Sequence, residues 1–171
     1  MYNNEPLIRH VEIEDSYDLL ETMKKIDSES YFMLRNPGER KTTLEEQVNT
    51  VSHILSQRNK TILLATIGNS IVGYLICLGG SFEMTQYSAS VIMGILDKYI
   101  NQGIGTMLFE NLDSWAALVG IHRLELRVDE KNDIALHLYK KIGFSVDGIA
   151  KESVFVKGEF RNVYMMSKIL K

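Results

Sequence analysis

Four stretches of the chain carry apolar residues every three or four positions, a spacing that predicts amphipathic helices. Three of the apolar stripes are formed by Leu19, Leu20, Met23 and Ile26, by Leu44, Val48, Val51 and Leu55, and by Ile104, Leu108, Leu112, Trp115 and Val119. The fourth helix is predicted over 132–143, with Asn132 as its N-cap and Gly143 just past its end. Thr43 and Glu46 have the spacing of a capping box, which marks the start of the second helix.

Shorter stretches that alternate apolar and polar residues, or are rich in β-branched residues, predict strands. They cover 6–13, 61–67, 71–78, 87–96, 121–128 and two strands within 148–169. The last two flank a turn at Lys157 and Gly158, and Gly94 indicates a bulge or a close approach by another chain or a ligand. The order β-α-α-β-β-β-α-β-α-β-β is typical of an α/β sandwich with a mixed sheet. No linker composition divides the 171 residues, so we expect a single domain over 1–171.

Composition and charge narrow the class of partner. Hydrophobic residues make up 45% and charged residues 24% of the chain, which is ordinary for a globular protein and excludes wholesale disorder. The formal net charge of -3 gives no basis for nucleic-acid binding, which needs clustered Lys and Arg, and it suits a cationic substrate better. The four histidines show no metal-ligand spacing with Cys or acidic residues, so we expect no metal.

The N-terminal segment and the single cysteine bear on location. Residues 1–16 carry charges throughout without an apolar h-region, and no stretch approaches the roughly 18 apolar residues of a membrane span. Cys77 has no second cysteine for an internal disulfide and lies in an apolar run, so we interpret it as a buried hydrophobic residue. These features predict a cytoplasmic protein that does not associate with a membrane.

Two glycines one residue apart, Gly103 and Gly105, stand where an irregular segment turns into the third helix. A helix N-terminus presents unpaired backbone N–H groups and about half a positive charge, so it attracts phosphate. Glycine leaves room for close approach and tolerates φ > 0, which lets successive amides point inward. The segment therefore predicts a pyrophosphate cradle, with a simple tight turn as the alternative.

Two other phosphate motifs fit this segment poorly. A P-loop needs a lysine directly after its second glycine, and no suitably spaced lysine is present. A dinucleotide-binding fingerprint needs a third glycine where Leu108 stands, although Glu125 follows the glycines by about 20 residues as a ribose-binding acid would. Glu125 lies mid-strand, however, and the glycines lie well beyond the preceding strand, which disfavours a nucleotide-binding domain.

The segment instead resembles the acetyl-CoA signature [QR]-x-x-G-x-[GA] of the GNAT superfamily of N-acetyltransferases, aligned over 100–105 with Ile100 in place of Gln or Arg. A second family block, N-x-x-A-x-x-x-Y-x-x-x-G-F, matches Asn132, Ala135, Tyr139, Gly143 and Phe144. The element order is similar over nearly the full chain. The stretch 143–167 resembles the closing hairpin of the branch that includes ribosomal-protein and polyamine acetyltransferases.

The resemblance implies a fold and a cofactor. The fold would be α/β, with a mixed, mostly antiparallel central sheet of about seven strands, a V-shaped splay between strands 4 and 5, and four flanking helices. Acetyl-CoA would lie in the splay as the acetyl donor. The residues implied to bind it are Ile95, Leu96, Asn101, Gln102, Gly103, Ile104, Gly105, Thr106, Asn132, Ala135 and Tyr139.

The resemblance also implies direct acetyl transfer, in a ternary complex, to a primary amine of a small molecule, a polyamine or a protein N-terminus. Tyr139 would donate a proton to the departing thiolate, and a backbone N–H near Leu96 would stabilise the oxyanion. Glu125 is the first choice for the base that deprotonates the amine. The alternatives are a core packing role for Tyr139, an ion pair of Glu125 with Arg123 or Arg127, and a water relay.

For the acceptor amine, the loop after the first helix offers Glu29, Tyr31 and Phe32, whose carboxylate and aromatic rings suit a cation. Glu83, before the fourth strand, is a further candidate. The exposed terminal hairpin could pair with a second copy, which would make a homodimer. The alternative function is a non-catalytic GNAT-fold module that binds acetyl-CoA or regulates, for which the departure at Ile100 leaves room.

Overall fold

The regular elements follow the predicted order in the computed structural model, which describes residues 5–171. They are β1 (Leu7–His10), α1 (Ser16–Glu29), α2 (Leu44–Leu55), β2 (Lys60–Ile67), β3 (Ser70–Gly79), β4 (Ser88–Ile95), α3 (Ile104–Val119), β5 (Arg123–Asp129), α4 (Asp133–Lys141), β6 (Ser145–Val156) and β7 (Glu159–Ile169). Short 3₁₀ turns at Ile13–Asp15 and Asp97–Tyr99 follow β1 and β4. The predicted capping box of α2 is present, since Thr43 and Glu46 each bond the other's backbone amide.

The strands form one seven-stranded sheet in the order β1-β2-β3-β4-β5-β7-β6. Every neighbouring pair is antiparallel except β4 and β5, which run parallel. These two strands pair only between 88–90 and 123–125, and beyond that point β4 keeps β3 and β5 keeps β7 as its neighbour. The mixed sheet with four helices, and the splay between strands 4 and 5, are therefore confirmed.

Each face of the sheet carries its own hydrophobic core. α3 and α4 pack on one face in a cluster that includes Leu75, Leu108, Leu112, Leu124 and Leu136. α1 and α2 pack on the other face in a cluster that includes Leu19, Ile26, Val51, Ile62 and Tyr74. Strands covered on both faces need near-continuous apolar sequence, which is why β2 and β3 read as apolar runs rather than as strict alternation.

Two details of the predicted strands differ in the structure. β1 is shorter than predicted because Glu12 and Asp15 form a capping box that starts a 3₁₀ turn, and Arg9 binds the same Asp15 carboxylate at 2.6 Å. Gly94 does not mark a bulge, since the β3–β4 register is regular. A Cβ at Gly94 would lie 2.9 Å from the ring of Tyr74, so the close approach is made by a buried side chain of the protein itself.

Cys77 is fully buried in β3, and burial raises the pKa of its thiol to about 12. This is the environment expected of a small hydrophobic residue, and it keeps the thiol protonated at neutral pH. Within residues 5–171, no helix is both long and apolar enough to cross a membrane.

Candidate active site

The start of α3 presents backbone amides that have no acceptor among residues 5–171. No side chain caps this helix, and the first backbone bond to the N-cap joins the Met107 N–H to the Gly103 carbonyl at 3.1 Å. Among the described residues, none accepts from the amides of Ile104, Gly105 and Thr106. These N–H groups lie at the positive end of the helix dipole, so the site suits a negatively charged group.

Hydrogen bonds to main-chain carbonyls hold the segment that leads into α3. The Leu96 N–H donates to the Val72 carbonyl at 2.9 Å, and the side-chain amide of Gln102 donates to the Lys98 carbonyl at 2.8 Å. Ile100, which stands where the signature has Gln or Arg, uses only its backbone N–H, to the carbonyl of residue 97 at 3.2 Å. The side chain of Gln102 therefore hydrogen-bonds within the turn, which the apolar side chain of Ile100 cannot do.

The two glycines of the turn have different tasks. Gly103 adopts φ of +81°, a left-handed conformation, and nothing lies within 4 Å of a Cβ built on it. Gly105 is an ordinary helical residue, but its Cβ would lie 2.6 Å from Cδ2 of Leu138 on α4. Gly103 thus lets the chain turn into the helix, and Gly105 permits close packing of α3 on α4. Asn101, with φ of +62°, makes a second left-handed step in the same turn.

α4 carries the residues of the second sequence block, and its Leu138 lies against Gly105 of α3. Asn132 is its N-cap, and the side-chain oxygen accepts from the Ala135 N–H at 3.2 Å. The side chain of Asn132 is therefore already engaged in starting the helix. Tyr139 follows seven residues later, which places it about 10 Å further along the helix axis on the same face.

Tyr139 combines a packed ring with an unpaired hydroxyl. It is 8% exposed, and the ring centroids of Phe109 and Phe144 lie 5.8 and 5.9 Å from its own. Its hydroxyl bonds to none of the described residues, and burial raises its pKa to about 12. The core packing that the sequence left as an alternative is thus real, and the phenol also holds its proton at neutral pH.

Glu125 stands at the point where β4 and β5 begin to diverge. It pairs across the strands with Ser90, whose hydroxyl donates to the carboxylate at 3.3 Å, and Arg123 contacts it at 3.4 Å. Arg123 also binds Asp147, so the carboxylate lies in a network of charges. Of the two arginines that the sequence offered as partners, Arg123 is the one in contact. The strand from Ser90 to the end of β4 is about 16 Å long, so Glu125 is remote from the start of α3.

The backbone of β4 shows which amides face the splay. Backbone groups of successive strand residues point to opposite neighbours, and Leu96 bonds to Val72 of β3. The Leu96 N–H is therefore used inside the sheet. The N–H groups of Ile95 and Met93 point away from β3, towards the gap left by β5.

Three of the predicted acceptor residues lie at the same end of the sheet as the start of α3. The Glu29 carboxylate accepts from the Asp97 N–H at 2.9 Å, which places the end of α1 beside the end of β4. The Lys157 ammonium lies 3.5 Å from the ring centroid of Tyr31. Phe32 follows directly and is 41% exposed. The α1–α2 loop, the end of β4 and the β6–β7 turn therefore meet around the splay.

Glu83 is not brought to this group. It lies in the loop between β3 and β4, so the whole length of β4, about 26 Å for eight residues, separates it from the turn into α3. A shallow polar cavity of about 430 Å³ does lie there, bordered by residues of that loop and by Asn59. The two ends of the sheet are distinct sites.

Some residues near the splay were not identified from sequence. Phe155 and Phe160 face each other across the β6–β7 hairpin, with centroids 4.9 Å apart and more than 60% of each side chain exposed. The predicted turn at Lys157 and Gly158 already implied this pairing, because Phe155 and Phe160 each stand two positions from the turn in the sequence. The buried ion pair of Asp27 with Arg40 had no comparable signal in the sequence.

Within residues 5–171, no cluster of three or more His, Cys, Asp or Glu side chains has a geometry that could hold a metal ion. The polar groups found along the splay and the helices beside it are the backbone amides at the start of α3, the Tyr139 phenol on α4 and the Glu125 carboxylate on β5. Such a set can bind an anion, hold an extended chain and move protons.

Comparison with known proteins agrees with this geometry. Residues 20–144 match the model of the acetyltransferase (GNAT) family. Spermidine N(1)-acetyltransferase of Escherichia coli (strain K12) is 33% identical over 73 residues, which cover 42% of this chain and 39% of that protein. The chain therefore spans well under half the length of this curated relative.

Solved structures extend the similarity to the whole fold. An acetyltransferase of the GNAT family from Streptococcus pneumoniae superposes with a TM-score of 0.93 at 28% identity, covering 98% of this chain and 100% of the other. An acetyltransferase from Salmonella typhimurium, solved with its cofactor acetyl-CoA, superposes with a TM-score of 0.86 at 16% identity, covering 98% and 95%. With most of its length matched by the family model, the chain belongs to the GNAT acetyltransferase family.

Proposed function

We propose that this protein transfers an acetyl group from acetyl-CoA to a primary amine. The observation that carries the proposal is the start of α3, where three amides with no acceptor in the part of the chain that the structure describes lie beside two diverging strands. A diphosphate suits the amides, and an extended arm with amide groups suits the open strand edges. The acetyl-CoA present in the Salmonella neighbour supports this choice of ligand.

Bound acetyl-CoA would supply an acetyl group already activated as a thioester. Residues 101–106 would hold the diphosphate through their N–H groups, with the left-handed steps at Asn101 and Gly103 aiming the amides. The edge of β4 at Ile95 would hold the arm, and α4 from Asn132 to Ala135 would form the other wall. A donor held at several points is positioned for attack, which removes much of the entropic barrier of a two-body reaction.

Two proton movements complete the reaction. The sulfur must gain a proton, and Tyr139, with its pKa raised to about 12, carries one at neutral pH. The amine arrives mostly as ammonium and must lose a proton. We assign this step to Glu125 through a water relay, because its carboxylate lies where β4 and β5 begin to diverge and is too far along β4 from Ile95 for direct contact. The charge that develops on the acetyl oxygen would be stabilised by the Ile95 N–H.

The acceptor would enter between the α1–α2 loop and the β6–β7 turn. The contact of Lys157 with the Tyr31 ring shows that this ring can hold an ammonium group. The exposed rings of Phe155 and Phe160 add apolar surface at the same entrance. A primary amine on an apolar chain suits such an entrance, and a relative named for spermidine supports including polyamines among the candidates.

The test is thiol release from acetyl-CoA with purified protein and a panel of spermidine, simple monoamines, amino acids and short peptides with a free N-terminus. Amine-dependent release with at least one class is the expected result. Stabilisation by acetyl-CoA in a thermal shift without any amine-dependent release would favour the alternative, a non-catalytic acetyl-CoA-binding module. Stabilisation by NAD or ATP in place of acetyl-CoA would contradict the cradle assignment.

The cradle itself is tested by Thr106→Glu, which adds a carboxylate in the first turn of α3. A negative charge there favours the helix dipole, so the melting temperature should stay constant or rise. A like charge about 4 Å away repels phosphate by roughly 1 to 4 kcal/mol, so the Kd for CoA should rise about fivefold or more. The charge-matched control is Leu118→Glu, at an 83% exposed position at the far end of the same helix. Equal affinity loss in both variants would contradict the placement.

A further inference from the structure

A buried ion pair closes the α1–α2 loop. The Asp27 carboxylate on α1 is 1% exposed, and Arg40 near the end of the loop binds it with two nitrogens, Nε to Oδ2 at 2.6 Å and Nη2 to Oδ1 at 3.1 Å. The remaining guanidinium nitrogen, Nη1, lies 3.8 Å from the sulfur of Met23. The arginine is therefore held between a carboxylate and the apolar side of α1.

The physical setting of this pair differs from that of a surface ion pair. Two buried charges interact strongly only when the geometry is good, and each is costly to leave alone, so breaking one partner is strongly unfavourable. Lys24 and Glu21 make an ion pair of similar length, 2.8 Å, on the same helix, but both side chains are more than 40% exposed. Water and salt screen that pair, so it is a natural control.

The loop closed by Arg40 is the one that faces the splay. It begins where Glu29 accepts from the Asp97 N–H, and it contacts the β6–β7 turn through Tyr31 and Lys157. Arg40 holds its other end against Asp27. Because residues 30–43 lie between two helices and form none of their own, side-chain contacts decide the shape of the loop.

We infer that Asp27 and Arg40 are positioning residues that hold the α1–α2 loop as the wall of the acceptor site. That the loop lines an acceptor site rests on the proposed function, whereas the anchoring of the loop by the ion pair does not. The cradle at the start of α3 is built from a different segment. Loosening the pair should therefore weaken use of the amine and leave acetyl-CoA binding unchanged.

The experiment compares Arg40→Lys, which keeps the charge but loses the planar fork, with the double variant Asp27→Asn plus Arg40→Gln, which removes both charges. Lys24→Gln is the matched control. Two readouts are taken: KM for an amine found in the panel, beside kcat and the Kd of CoA, and the rate of trypsin cleavage after Arg35, an exposed loop residue.

Arg40→Lys should raise the KM for the amine at least tenfold, with the Kd of CoA within twofold of wild type, and should accelerate cleavage after Arg35 at least fivefold. Lys24→Gln should change neither. If Arg40→Lys fails to fold, the double variant, which leaves no lone buried charge, is held to the same expectations. An unchanged KM and cleavage rate in a folded variant, or a Kd of CoA that rises in step with KM, overturns the inference. If the wild type uses no amine at all, the proposed function fails, and an unchanged cleavage rate would then overturn the anchoring as well.

Discussion

The hydroxyl of Tyr139 allows its chemical role to be separated from its packing role. Tyr139→Phe removes one oxygen and leaves the ring in contact with Phe109 and Phe144. That oxygen makes no hydrogen bond with a described residue, so the change breaks no internal bond. A large effect on turnover with little effect on stability would therefore identify the hydroxyl as part of the chemistry.

The structure sets the expected magnitudes. A lost hydrogen bond typically costs about 1 kcal/mol, and none is lost, so the free energy of unfolding should stay within about 0.5 kcal/mol or rise slightly. General acid catalysis contributes about 10²- to 10⁴-fold. We expect kcat to fall by at least about 10²-fold, which corresponds to about 2.7 kcal/mol of lost transition-state stabilisation.

The assay is steady-state thiol release beside chemical denaturation and titration with CoA. The Kd of CoA should stay within about twofold of wild type, because the phenyl ring keeps its contacts with Phe109 and Phe144 and α4 keeps its position. Tyr87→Phe is the control, since Tyr87 is 56% exposed in the loop at the opposite end of β4. An unchanged kcat for Tyr139→Phe would refute the assignment and leave the residue as a core aromatic. A parallel fall in stability would show that the packing account is incomplete.

Two further predictions concern stability. Gly105→Ala gains about 1 kcal/mol of helix propensity but places its Cβ 2.6 Å from Leu138. In urea denaturation it should therefore be neutral or destabilising in the wild type, and stabilising by about 1 kcal/mol in a Leu138→Ala background. Equal effects in both backgrounds would contradict the packing role of Gly105. The hydrogen bond from Arg9 lowers the pKa of Asp15, so this carboxylate adds stability above its unfolded pKa of about 4 that is lost as pH falls through the lower folded pKa. Asp15→Asn should therefore show a flatter decline of the urea midpoint as pH falls below about 4, and a decline as steep as that of the wild type would argue against the linkage.

Local signals account for how much of the fold could be predicted. Helix ends depend on residues within one helical turn, so they can be predicted from sequence. Examples are the capping box at Thr43, the N-cap at Asn132 and the glycine after α3, and these helices begin or end where expected. The order of helices and strands along the chain followed from helical and strand periods in the same way. Boundaries that depend on a contact between elements could not be predicted from sequence, and the early end of β1 at the ion pair of Arg9 with Asp15 is an example.

The candidate site divides along the same line. Its main-chain part, the turn from β4 into α3, was predicted because glycines and a helix start carry the information. Its side-chain part was predicted less well, since strand alternation alone could not show that Glu125 pairs with Arg123 rather than Arg127. Likewise, the clash that Gly105 avoids with Leu138 depends on how two helices pack. Sequence spacing fixes positions along one element, whereas these contacts depend on distances between elements.

This division also explains why the cradle and the acceptor wall can vary separately. The proposed cradle would use backbone amides, so it would tolerate a side chain such as Ile100 where the family signature has a polar one. The α1–α2 loop has no regular structure, and its shape depends on the contacts of Arg40 and Tyr31 with partners elsewhere. The hydrogen bond from Asp97 to Glu29 is the point where the two parts meet. Under the proposed function, a change in the loop would therefore alter which amine fits without moving the amides proposed to hold the donor. We expect the residues that select the acceptor to lie in the loop and not in the signature.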